Sequence, residues 1–199
     1  MRDDDSRFRA AIERFDKANA ADPNRTVVAG ESVADELLYA RRMTDWLNRL
    51  EPAASEPLRL AVRCQHLCRW MIPRSQYPMT RAGYLQWRST LAQFHADKAG
   101  EILHDLKYDE ETVRRVKSLV RKEGLKSDSE AQTLEDVACL VFLEFYFADF
   151  AAEHEEAKVL NILRRTWAKM SERGRDAAKT IDLPQREREL IAKALTPPV

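Results

Sequence analysis

Apolar residues recur along this chain three and four positions apart, the spacing of one face of an α-helix, and polar breaks separate the runs. Phe8, Ile12 and Phe15 mark a first amphipathic helix. Residues 19–26, with Pro23 inside them, read as a polar break. Ser32-Val33-Ala34-Asp35 predicts a capping box, in which a hydroxyl and a carboxylate satisfy the free N–H groups of a helix start. That helix runs through Leu50 and buries Leu37, Leu38, Met43, Trp46, Leu47 and Leu50. Ser55, with Pro57 just inside, predicts another over 55–70, since proline in a first turn gives up no hydrogen bond. Residues 72–78 break it. A long helix is expected over 80–106, and Asp109 caps the next, which carries Val113, Val116, Leu119 and Val120.

The segment 133–152 differs from the rest. A box at Ser127-Asp128-Ser129-Glu130 opens it, and Leu134, Val137, Leu140, Val141, Phe142, Leu143, Phe145, Tyr146, Phe147 and Phe150 cover nearly every face. A helix apolar all round belongs in the middle of a core. Leu160, Leu163 and Trp167 resume the bundle. The expected fold is therefore all-α: one compact helical domain over 1–175 around the central apolar helix, then a tail over 176–199 with a short helix after Pro184.

Charge removes some functions. Lys plus Arg and Asp plus Glu are 33 each, for a net charge of zero. A nucleic-acid polymer, whose phosphates call for many surplus cations, is not an expected partner. Five glycines are too few for a turn-rich β fold. The three cysteines, Cys64, Cys68 and Cys139, are odd in number and sit in apolar patterns, which fits reduced thiols in a cytoplasmic protein. The N-terminus shows no secretory apolar region. The longest apolar run, Val137 to Leu143, stops at Glu144, so no membrane association is expected. The oligomeric state is left open.

Polar residues inside apolar patterns are the ones that carry information. His66, His95, Glu36, Glu135, Asp136 and Glu144 are all of this kind. Imidazole and carboxylate from different helices are the ordinary ligands of Mn, Fe or Zn, and such a metal activates water for hydrolysis. Each also has a structural reading. The histidines can be satisfied core residues, Glu135 and Asp136 can complement a helix dipole, and Glu144 can pair with an arginine of a neighbouring helix. Cys64 and Cys68 share a face but lack a second cysteine pair. His104 and His154 lie in charged surroundings and are expected to be exposed. A second cluster is basic and aromatic: Arg69, Trp70, Arg74, Tyr77, Arg81, Tyr84, Trp87 and Arg88. Arginine forks suit phosphate and aromatic rings stack on bases, so Arg69, Arg74, Tyr84, Trp87 and Arg88 are candidates for a phosphorylated ligand or nucleotide. The alternative is a surface salt-bridge network. No glycine-rich phosphate loop and no Gly-x-Ser-x-Gly elbow is present.

Several runs together resemble the DUF4202 family: Glu36-Leu-Leu-Tyr39, Arg42-Met-Thr-Asp-Trp46, Gln65-His66, Arg69-Trp-Met-Ile-Pro-Arg74, Gly83-Tyr84, Trp87-Arg88, Phe94-His95-Ala96 and Leu134-Glu-Asp-Val137. That resemblance supplies no activity. A weaker one is to the HD-domain phosphohydrolases, all-helical metal enzymes that cleave phosphate esters. It implies an HD-like bundle and places His66 at the His-Asp pair, His95 in a later histidine segment and Glu135-Asp136 near the last aspartate. Tyr39, Leu67, Lys122 and Ala138 stand where that pattern carries ligands, so the resemblance implies a metal site lost or rebuilt, with Glu36 as a substitute ligand beside His66 and His95. The expected function is binding of a phosphorylated small molecule or nucleotide, with metal-dependent hydrolysis if a metal is held, Glu135 and Asp136 then being catalytic. The alternative is a metal-free binding or regulatory module on the same scaffold.

Overall fold

The computed structural model describes residues 2–125 and 127–196, and for 2–4 the backbone alone. Met1 and Lys126 lie outside it, as do residues 197–199 of the expected tail. Helices dominate: α1 (Arg2–Asn19), α2 (Asp35–Leu50), α3 (Glu56–Cys64), α4 (Arg81–Asp105), α5 (Glu110–Val120), α6 (Ser129–Phe145), α7 (Phe147–Glu153), α8 (Glu156–Lys169), α9 (Glu172–Ala178) and α10 (Gln185–Leu195). The fold is all-α, as the hydrophobic spacing predicts.

The central position of the apolar segment holds. α6 packs against α2, α3, α5, α7, α8 and α9. Leu134, Val137, Leu140 and Val141 on it are fully buried, together with Phe15, Met43, Leu60 and Phe147 from other elements. It is not one helix over 133–152, however. Asp128, whose carboxylate accepts from the N–H groups of Glu130 and Ala131, starts it at Ser129, and Tyr146 (φ −128°, ψ −13°) interrupts it. A buried arginine ties three helices together at one side of the core. The guanidinium of Arg63 on α3 holds both carboxylate oxygens of Asp16 on α1 at 2.7 and 2.6 Å and donates to Thr44 Oγ1 on α2 at 3.0 Å.

Two boundaries differ from expectation. Residues 25–34 form an antiparallel hairpin, β1 (Arg25–Val28) and β2 (Glu31–Ala34). The turn residues Ala29 and Gly30 both have positive φ, 51° and 84°, the two-residue geometry that matches strand twist. Ser32 therefore accepts from Arg25 Nε across the hairpin at 2.9 Å and caps nothing; α2 begins at Asp35. The helix expected over 55–70 is capped by Ser55 but ends at Cys64. Gln65 to Cys68 turn, Cys68 takes a left-handed φ of 57°, and a 3-10 turn follows at Arg69–Met71. His66 consequently sits in a turn rather than on a helix. Finally, α10 packs on α8: Arg164 Nε donates to the carbonyl of Ala194 at 3.0 Å, and Lys193 pairs with Glu156. Glu144 meets the predicted partner type, Arg49 at 3.1 Å, and also accepts from Trp46 Nε1 at 2.5 Å.

The connection from Met71 to Thr80 is held in place by close contacts. Arg74 donates to the carbonyls of Tyr77 and Pro78 at 2.9 and 2.7 Å, and Trp87 Nε1 donates to the carbonyl of Ile72 at 2.8 Å. Gly83, in the first turn of α4, donates to Thr80 Oγ1 at 3.1 Å. A Cβ there would stand 2.2 Å from the carbonyl oxygen of Pro78, a backbone atom that cannot swing aside. Gly83→Ala is therefore expected to destabilise the fold by about 2–3 kcal/mol, as overpacking does, with a lower urea midpoint and an unchanged slope.

Candidate functional site

Three parts of the chain converge on one cavity of about 440 Å³. The turn after α3 contributes Gln65, His66 and Arg69. The face of α4 made by residues 88, 91, 92 and 95 forms one wall, and the end of α5 with the residues just past it (Val120, Arg121, Lys122, Glu123) forms another. Of the residues singled out in the sequence, His66, His95, Arg69 and Arg88 line it.

The histidines are held in defined states. His95, 3% exposed, faces the carbonyl oxygen of Leu67 with Nδ1 at 2.8 Å. A carbonyl only accepts, so Nδ1 carries the proton and Nε2 carries the lone pair. Burial pushes the His95 pKa down to about 4, the Leu67 bond opposing it, so the ring is neutral at neutral pH. His66 stacks on Tyr39, ring centres 4.1 Å apart and 9° from parallel. Burial first, then Arg69 and His95, lowers its pKa well below the ordinary value. Tyr39 thus occupies the place of an expected metal ligand as a stacking surface. Its hydroxyl donates to Gln65 Oε1 at 3.2 Å, which leaves the Gln65 amide as a donor group at the cavity wall.

Glu36 stands behind this layer. Its carboxylate lies 3.6 Å from His66 Nδ1 and 3.9 Å from Arg69. Burial raises its pKa to about 7, with Arg69 opposing. A carboxyl whose pKa rises on folding binds more protons in the folded state than in the unfolded state. Between its ordinary 4.5 and about 7 the ionised form is penalised only in the fold, so Glu36 removes stability as pH rises through that window. Glu36→Gln is therefore expected to gain stability relative to the parent protein as pH goes from about 4.5 to about 7 and to hold that gain above it. Denaturant midpoints measured across pH check this, and a difference that is flat with pH contradicts it.

The remaining residues of interest take structural positions. Glu135 pairs with Lys122 and, at 3.4 Å, with Lys169. Burial works to raise its pKa, but the two ammonium groups outweigh burial and leave it lowered. Asp136 accepts from Ser171 N at 2.8 Å, from Ser171 Oγ and from Gln132 Nε2 at 3.0 Å, anchoring the start of α9. Arg74 is spent on backbone carbonyls. Trp87 is buried beneath Arg69, whose guanidinium carbon lies 4.9 Å from its ring centre. Tyr84 is exposed, 5.9 Å from Trp87. His104 is exposed as expected, but His154 is half-buried, stacked on Phe150 at 4.2 Å. Gln65 and Arg121 were not singled out in the sequence as binding residues. Arg121-Lys122 looks like a plain helix end until the positive φ of Lys122, 57°, is known.

Three facts define the chemistry of the cavity. Arg69, Arg88, Arg121 and Lys122 line it, and Glu123 is the one acid among the lining residues, paired with Arg121 at 2.6 Å. The stretch 57–96 that supplies most of it contains six arginines and no acidic residue, in a chain with 33 acids. Among the described residues, no group of three His, Cys, Asp or Glu side chains is placed to hold a metal ion. No helix among them is long and apolar enough to cross a membrane.

A family model described as "Domain of unknown function (DUF4202)" matches residues 9–191. No curated protein and no solved structure matches the chain.

Proposed function

We propose, for a chain that belongs to the DUF4202 family, that its cavity binds a phosphorylated small molecule without a metal. The observation that carries this is the convergence of Arg69 and Arg88 on a cavity whose two histidines are neutral, with Lys122 beside them paired to Glu135. Guanidinium and ammonium groups beside uncharged donors and acceptors favour a bound anion and disfavour a dication. The residues do not fit the metal of an HD-like hydrolase: Tyr39 is a stacking surface, Lys122 brings a positive charge, and Ala138 has no donor. Glu36, His66 and His95 lie together, but Arg69 shares the carboxylate.

A thermal-shift panel of nucleotides and sugar phosphates in excess EDTA tests the proposal. At 100 times its Kd a specific ligand adds about 2.7 kcal/mol, several degrees for a chain of this length. Stabilisation in EDTA is expected. Stabilisation only after adding Mn would restore the metal reading and the hydrolase that goes with it.

A further inference from the structure

His95 Nε2 is buried and has no hydrogen-bond partner among the described residues. Its tautomer is fixed by Leu67, so the atom offers a lone pair and no proton. Arg69, Arg88 and the Gln65 amide donate at the same wall, while Arg121 is paired with Glu123 and Lys122 with Glu135. A fully ionised phosphate satisfies donors and has nothing to give to a lone pair. His95 and Arg88 are seven residues, two turns, apart on one face of α4, about 10 Å along the helix axis. A phosphate ester carrying hydroxyls further along has a group for each end of that face.

Resting on the phosphate-binding reading above, we infer that the ligand is a phosphorylated sugar, free or as the ribose phosphate of a nucleotide, whose phosphate lies toward Arg69 and Arg88 and whose hydroxyl donates to His95 Nε2. The sugar supplies a hydroxyl that donates to this lone pair, and the buried lone pair rejects an apolar body of the same shape, because a buried acceptor left unpaired is costly.

The test compares ribose 5-phosphate with cyclopentylmethyl phosphate, the same ring size without hydroxyls, by NMR titration of the full chain in EDTA. About tenfold tighter binding of ribose 5-phosphate is expected, with an upfield shift of the His95 Nε2 nitrogen signal for that ligand alone. His95→Phe is expected to erase the ratio; because that position is in the core, the nitrogen shift of the unaltered protein stands as the independent readout. Equal affinities with no Nε2 shift overturn the hydroxyl inference and leave phosphate binding intact. Binding of neither compound overturns both. Adenosine 5′-monophosphate added to the series separates the two sources of the sugar: tighter binding than ribose 5-phosphate supports a nucleotide, and weaker or equal binding supports a free sugar phosphate.

Discussion

Replacing both Arg69 and Arg88 by Ala is expected to weaken binding of whichever phosphorylated compound stabilises the parent protein by 100-fold or more. A hydrogen bond to a charged group contributes about 1.5–3 kcal/mol, so two lost together correspond to roughly 10² to 10⁴ in affinity. Arg88 is exposed and no ion pair is seen for it among the described residues, so its removal leaves the fold almost untouched. Arg69 lies over Trp87 and near Glu36, so its removal costs a small amount of stability as well. The two effects separate in measurement: calorimetric titration reports affinity, and urea unfolding without ligand reports the fold. An affinity unchanged within threefold would place the phosphate elsewhere.

Asp136→Ala is the largest expected effect on stability. The side chain is 2% exposed and accepts three hydrogen bonds, one from a backbone N–H that starts α9. Alanine leaves the Ser171 N–H and hydroxyl without their acceptor, while Gln132 keeps the Lys169 carbonyl, at a cost of about 3 kcal/mol. Gly174 makes the account more specific. A Cβ there would stand 2.6 Å from the Asp136 carboxyl carbon, and the carboxylate is pinned by its three bonds. Gly174→Ala is therefore destabilising by itself and less so once Asp136 is Ala, where only the Cβ of residue 136, 3.0 Å away, remains in the way. A double-mutant cycle measures that coupling, and simple additivity would contradict the packing described.

Asp136 also shows how far the sequence was legible. Helix period and side-chain caps revealed α1, α4, α5 and the central place of α6, because those signals are local. Asp109 caps its helix as spacing predicts, and the long helix starts at Thr80 as expected. Asp136 read equally well as a catalytic carboxylate, because its partner Ser171 lies 35 residues away and nothing local announces it. The same holds for Lys122, whose role depends on a left-handed backbone and on Glu135 across the core. The turn at 65–68 was hidden because Gln65-His66-Leu67-Cys68 continues a helical pattern without glycine or proline. That missed turn is what brings His66 beside Tyr39 and Arg69 into the cavity. The cation-rich, acid-free stretch was visible as an arginine–aromatic cluster, but which arginines face the ligand and which clamp the backbone, as Arg74 does, is decided by tertiary packing.

The most direct measurement is a calorimetric titration of the chain, purified without an affinity tag and stripped by EDTA, with the compound that stabilises it most in the thermal panel. Saturable binding at one site is expected with EDTA present, unchanged by added Mn and lost when Arg69 and Arg88 are both Ala. Binding that appears only with Mn, or that survives the double substitution, would contradict this.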